Sequence, residues 1–281
     1  EVSNYWKLAQ HIVNLVQCIN NGINTDGTLA DLVEWYANGG YVADNAFRKF
    51  HTDKLGMLHL PKQADELTTI INKLYREFTE RGVKAYQQFI TDKKEYPTYK
   101  NQGYIQFVKP ALRNGKRVVF VMVDAFRYEM GKTFAMSIER SFMERVECLP
   151  RISYLPSITR FGMAYHFEDI SVKNIQGKLQ PFIGEQMVST PEDRIAWLKA
   201  DVDVEVQDFR IEDFNSAKVN EGTRLLVVRS VSIDSAGEKE KLNGLATMER
   251  EQIRLAKLLD DCKRLKFDEA IIITDHGFMI Q

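Results

Sequence analysis

The sequence is short of the features that would mark a secreted scaffold, a membrane protein or a general polyanion binder. It holds only 3 cysteines in 281 residues. Cys18, Cys148 and Cys262 are far apart and form no C-x-x-C pair, which excludes a disulfide framework or a thiolate zinc knuckle and fits buried thiols in a reducing cytoplasm. The longest unbroken apolar run, Val118 to Val123, falls far below the roughly 20 residues a membrane-crossing helix needs, so no membrane partner is expected. Charge of one sign is missing too: the net value is -1 with a pI near 6.6. No global field draws the chain to nucleic acid, and any such contact must be local. P-loop and G-x-G-x-x-G sequences are absent.

What is present is ordinary for a folded domain: 44% hydrophobic and 27% charged residues, in a chain long enough for one large α/β domain and a smaller module. A start at Glu1 without Met and an end at Gln281 inside an apolar stretch read as an excised fragment.

The first hundred residues read as all-helical. Apolar residues from Trp6 to Ile23 recur at helical spacing, Thr28-Leu-Ala-Asp31 offers a capping start for a helix to Trp35, and Gly39-Gly40 reads as its stop. Tyr41 to Lys54 and Ala64 to Ile90 carry the same period. The pattern changes near Tyr104, which divides the chain into a helical domain, 1–103, and a second domain, 104–281. In the second, the spacing predicts strands at Arg117 to Asp124, Arg145 to Ser153, Arg224 to Arg229 and Glu269 to Asp275. Between them it predicts helices to about Glu139, after Thr190-Pro-Glu-Asp193, and over Leu242 to Leu265. Near-continuous apolar strands alternating with helices imply a mostly parallel sheet sandwiched by helices.

Three of those strands run into acids: Asp124, Asp234 and the pair Asp275-His276. Parallel α/β sheets gather ligands at the carboxyl ends of their strands, so these groups can meet in one crevice. Taken singly, an Asp after a strand reads better as a turn or helix cap. Asp275-His276-Gly277 places an oxygen and an imidazole ligand side by side, a pairing that suits a divalent cation, although a structural turn explains it as well. Asp234 and Glu238 share a face if their segment is helical, although by itself the stretch reads better as an exposed, Lys-rich loop. Thr159 is a hydroxyl that a metal can activate as a nucleophile, or a simple cap. Arg127 and Arg160 are candidate clamps on phosphate oxygens, or surface ion-pair partners.

Four stretches, Val-Asp124-Ala-Phe-Arg127-Tyr-Glu129, Leu-Pro-Ser-Ile-Thr159-Arg-Phe-Gly-Met-Ala, Ile-Asp234-Ser-Ala-Gly-Glu238 and Thr-Asp275-His276-Gly-Phe, together closely resemble the PglZ domain. That family belongs to the alkaline phosphatase superfamily and serves the bacterial BREX and Pgl phage-exclusion systems. The resemblance implies an alkaline phosphatase-like fold with two divalent metal ions, zinc first, manganese or magnesium as alternatives. It implies that Asp124, Thr159, Asp275 and His276 surround one ion, that Asp234 and Glu238 hold the other, and that Thr159 is the nucleophile of a phosphatase, phosphodiesterase or nuclease. Relatives often place a histidine where Glu238 stands and take another from well downstream of the Asp-His pair, which implies a second site incomplete in this fragment. Other BREX proteins are the implied partners, a phosphoester, DNA among the candidates, is the implied substrate, and the cytoplasm the location. Four carboxylates, Asp124, Asp234, Glu238 and Asp275, balance the charge of two divalent cations.

A haloacid-dehalogenase site needs a second acid two residues after the first, where this chain has Phe126. The rival from another class is a scaffold module of a phage-defence complex with a weak or vestigial site.

Overall fold

The computed structural model describes residues 2–23, 27–57, 59–60, 63–95, 102–142, 145–153, 155–239 and 241–277, and for 2, 237–239 and 241–243 the backbone alone. It divides into two compact units, Glu1–Thr98 with Tyr128–Ile152, and Tyr99–Arg127 with Ser153–Met279.

The first unit is helical. It contains α1 (Val2–Asn20), α2 (Leu29–Trp35), α3 (Tyr41–Leu55), α4 (Ala64–Thr91) and α6 (Tyr128–Phe142). The capping box expected at Thr28 is formed: its hydroxyl accepts from Asp31 N at 3.2 Å and its amide donates to Asp31 Oδ2 at 2.7 Å. Gly39-Gly40 does not stop the helix. The chain makes a π-helical turn over Tyr36–Gly40 and continues into α3, because burial of the helix outweighs the entropic cost of two glycines. Leu8 and Leu15, seven residues apart on α1, close a core with Phe47, Phe50, Ile71 and Tyr75, and the rings of Phe47 and Tyr75 stack at 3.8 Å. A fully buried pair, Arg48 on α3 and Glu129 on α6, is joined twice, at 2.8 and 3.0 Å.

The second unit carries the sheets. After a π-helical turn (Tyr104–Val108) and α5 (Lys109–Arg113) comes β1 (Val118–Val123). Later follow α7 (Thr159–Tyr165), β2 (Ser171–Ile175), β3 (Lys178–Ile183), β4 (Gln186–Met187), α8 (Pro191–Asp201), β5 (Val206–Arg210), β6 (Leu225–Ser230), α9 (Ser232–Lys239), α10 (Lys241–Arg264) and β7 (Glu269–Ile273). The main sheet has the order β5-β6-β1-β7, with every neighbouring pair parallel. All six residues of β1 are buried, as a strand covered on both faces requires. Val118, Phe120 and Met122 on one face join Leu225, Val227, Trp197 and Leu198 in a core. Each such side chain contributes on the order of 1.5–3 kcal/mol by burial.

Two expectations need correction. Residues 145–153 form no strand; Pro150 inside that stretch cannot donate to a ladder. The second unit also contains an antiparallel sheet, β2-β3-β4, and an edge strand, β5, that periodicity did not reveal. No helix among the described residues is long and apolar enough to cross a membrane.

Candidate metal centre

Sheet order decides which side chains meet. β1 lies between β6 and β7 and all three run the same way, so their carboxyl ends sit side by side about 4.8 Å apart. The register pairs Val123 with Ser230 and Met122 with Ile273. Two residues beyond the latter pair stand Asp124 and Asp275, level with each other.

The turn after β1 is built to hold them. Asp124 N donates to Ser230 O at 2.9 Å. Ala125 then takes φ 58, a left-handed conformation costly for a residue with a β-carbon and persisting where surrounding structure enforces it. The enforcement comes from the end of β7: Ala125 N donates to Asp275 Oδ1 at 3.1 Å, and Phe126 N to Thr274 Oγ1 at 3.0 Å. On the far side, Ser153 Oγ donates to Asp275 O at 2.9 Å. His166 fixes Thr274 with a defined tautomer: Nδ1 accepts from Gly103 N at 3.1 Å, so Nε2 carries the proton donated to Thr274 O at 2.9 Å.

Thr159, the first residue of α7, reaches into this group. Its Oγ1 lies 3.3 Å from both carboxylate oxygens of Asp124 and 3.2 Å from His276 Nε2. His276 Nε2 is also 3.6 Å from Asp124 Oδ1 and 3.2 Å from Asp275 Oδ2. Ligand atoms of Asp124, Asp234 and His276 all lie within 4.8 Å of one another.

The donor set fits a divalent cation. One imidazole nitrogen faces three oxygens, yet it carries at most one proton to share among them. Apart from that approach of His276 Nε2, Asp275 Oδ2 is buried with no hydrogen bond among the described residues. Burial first, then the charges of Asp275 and Asp234, push Asp124 up to about 8. Carboxylates brought together this way demand a proton or a cation between them.

Of the residues singled out in the sequence, the structure brings together Asp124, Thr159, Asp234, Asp275 and His276. Glu238 lies on α9, one helical turn after Asp234, and its side chain is outside the described residues. Arg127 is buried and packs against Gly277, where an added β-carbon would lie 3.3 Å from its Cγ. The Arg160 guanidinium sits 5.7 Å from the ring centre of Phe161.

Sequence reasoning missed Arg194. This side chain on α8 is 3% exposed. Its Nη1 donates to Ser189 O at 2.9 Å and, more weakly, to Val188 O at 3.3 Å. Burial lowers it to about 10, against the opposing pull of Asp275 and Asp124, so a buried cation stands within the field of the acids. Nothing marked it in the sequence, since Thr190-Pro-Glu-Asp-Arg194 reads as a capped, charged first turn of a surface helix.

No curated protein matches the chain at a significant level. The family model described as the BREX system PglZ alkaline phosphatase-like domain matches residues 104–281. The chain belongs to the PglZ family.

Proposed function

We propose that the second unit is a metal-dependent phosphoester hydrolase in which Thr159 is the nucleophile. The observation that carries this reading is the placement of Thr159 Oγ1, 3.3 Å from both oxygens of Asp124 and 3.2 Å from His276 Nε2. A hydroxyl there is drawn toward the acids through its proton, leaving its lone pairs for phosphorus.

Asp124, Asp275 and His276 would hold one divalent ion beside Thr159, and Asp234 with Glu238 a second. When bound, such ions supply Lewis-acid stabilisation of the phosphoryl oxygens and lower the pKa of the attacking hydroxyl. The chain itself orients the reaction: Ala125 N and Ser153 Oγ fix Asp275, and α7 aims Thr159 along one direction. Arg127 and Arg160 offer guanidinium forks to the non-bridging oxygens. Attack on the ester phosphorus forms the Thr159 phosphoester and expels the alcohol; water then cleaves that ester at phosphorus and restores the hydroxyl. Within the phage-defence system to which the domain belongs, a nucleic-acid phosphodiester is one candidate substrate, and the other proteins of the system are candidate partners. Zinc, then manganese or magnesium, suits the oxygen and imidazole donors.

Elemental analysis of the intact protein, with hydrolysis of a chromogenic phosphomonoester and a phosphodiester, tests the reading. Bound metal and activity lost in both Thr159→Ala and Asp275→Ala are expected, with phosphate trapped on Thr159 after acid quench. A metal-free, inactive protein overturns it in favour of a scaffold role.

A further inference from the structure

The start of α9, which carries Asp234 in its first turn, is held by side chains that lie outside the metal-ligand set. The residue ahead of the helix is Val231, whose side chain cannot cap it. The hold falls instead on Ser232, the first residue of α9. Its Oγ donates to Glu212 Oε1 at 2.6 Å and accepts from Arg254 Nη1 at 3.4 Å, while its amide lies 3.4 Å from Ser230 Oγ. Arg254 Nη1 is in turn 3.7 Å from Glu212 and 3.6 Å from Glu251.

Glu251 explains why Arg254 stays in place. It is fully buried; burial raises its carboxyl above the usual carboxylate range, and the Ser230 hydroxyl and the Arg254 guanidinium oppose that rise. Arg254, one helical turn along α10, lies 3.6 Å from its Oε2, and a buried acid stripped of its counter-charge is strongly penalised. Arg254 is therefore held where it also meets Ser232. Three elements, the end of β6, the segment after β5, and α10, converge on the residue two positions before Asp234.

We propose that Ser232, Arg254 and Glu251 form a positioning network that sets how tightly Asp234 holds a cation, without touching the cation. The inference rests on the two-ion reading above. Groups bonded directly to a ligand change metal affinity by roughly 10- to 100-fold when removed; this network acts on Asp234 through the first turn of α9, so its effect falls at the lower end of that range and on one ion position.

The test is calorimetric titration of the intact protein with Mn²⁺ and with Zn²⁺, in wild type and in Asp234→Ala, Ser232→Ala, Ser232→Thr and Arg254→Met. Asp234→Ala identifies the position concerned. Ser232→Ala and Arg254→Met are expected to weaken that position about tenfold and leave the other within twofold; Ser232→Ala barely moves the metal-free melting temperature, whereas Arg254→Met lowers it because Glu251 loses its counter-charge, and Ser232→Thr, which keeps the hydroxyl, retains wild-type affinity. Unchanged affinity in Ser232→Ala and Arg254→Met, or equal loss at both positions, overturns the inference while the two-ion reading stands. Metal uptake by wild type that Asp234→Ala leaves intact overturns both.

Discussion

Gly162 and Asp275 approach so closely that a β-carbon on the glycine would fall 2.8 Å from Cβ of the aspartate and 3.0 Å from its carbonyl oxygen. Both obstacles are stiff, since one is backbone and the other the root of a side chain held at its far end by Ala125 N. α7, with Thr159 at its head, can lie against the end of β7 only because position 162 is bare. Gly162→Ala is therefore expected to shift Asp275 or α7, despite alanine's better helix propensity. Overpacking of this kind costs about 1–3 kcal/mol. The loss of metal affinity should exceed the loss of stability, which thermal melts with and without added Mn²⁺ will separate.

Asp124 gives a signed pH dependence. Its folded pKa is raised from 3.8 to about 8 by burial and by Asp275 and Asp234. The folded state thus binds a proton that the unfolded state has released, and the metal-free protein loses this stability as pH rises between the two values. Asp124→Asn removes the titration. In the presence of chelator the variant should melt above wild type at pH 8, with the difference vanishing toward pH 4. With metal bound the order reverses, because the asparagine is a poorer ligand. A difference between the two proteins that does not change with pH in chelator would sink the prediction.

Much of this site is legible in the amino-acid sequence. β1 announces itself as six apolar residues, and the acids after β1, β6 and β7 converge because parallel strands that are neighbours end together. The polar pieces of the fold are hidden. β5 reads Val-Gln-Asp-Phe-Arg and is an edge strand in which Asp208 binds Arg229 at 3.0 Å and Lys199 at 3.3 Å, so its burial pattern never becomes periodic. β2 and β3 pair through Lys173 and Gln180, residues that also suit a loop. The stretch 145–153 has the apolar content of a strand, yet Pro150 inside it cannot donate to a ladder. Arg194 is invisible for a different reason: burial of a charged side chain depends on what folds over it, which lies elsewhere in the chain.

The helical unit contains an electrostatic vulnerability of its own. Arg48 and Glu129 are both 0% exposed and joined by two hydrogen bonds. Removing one partner leaves the other as a buried charge, a loss of about 3–5 kcal/mol. Arg48→Met alone should lower the denaturant midpoint sharply. Arg48→Met with Glu129→Leu should recover most of the loss, since the uncompensated charge goes with its partner.

Arg194 allows the field inside the candidate metal centre to be tested from its cationic side. In the metal-free protein this buried guanidinium offsets part of the charge of Asp275 and Asp124, which in turn oppose the depression that burial imposes on it. A bound divalent ion takes over that role, and Arg194 then repels it. Arg194→Met keeps the length and apolar stem of the side chain but removes the charge and the bonds to Val188 O and Ser189 O. The metal-free variant should therefore be less stable than wild type by about 1–3 kcal/mol, the range for stranding buried polar partners. The ion should also bind more tightly, so the stabilisation gained at saturating Mn²⁺ should be larger in the variant than in wild type. Melting curves across a Mn²⁺ series decide it: a smaller metal-induced shift in Arg194→Met would mean that the arginine supports the bound state and does not stand in for the ion.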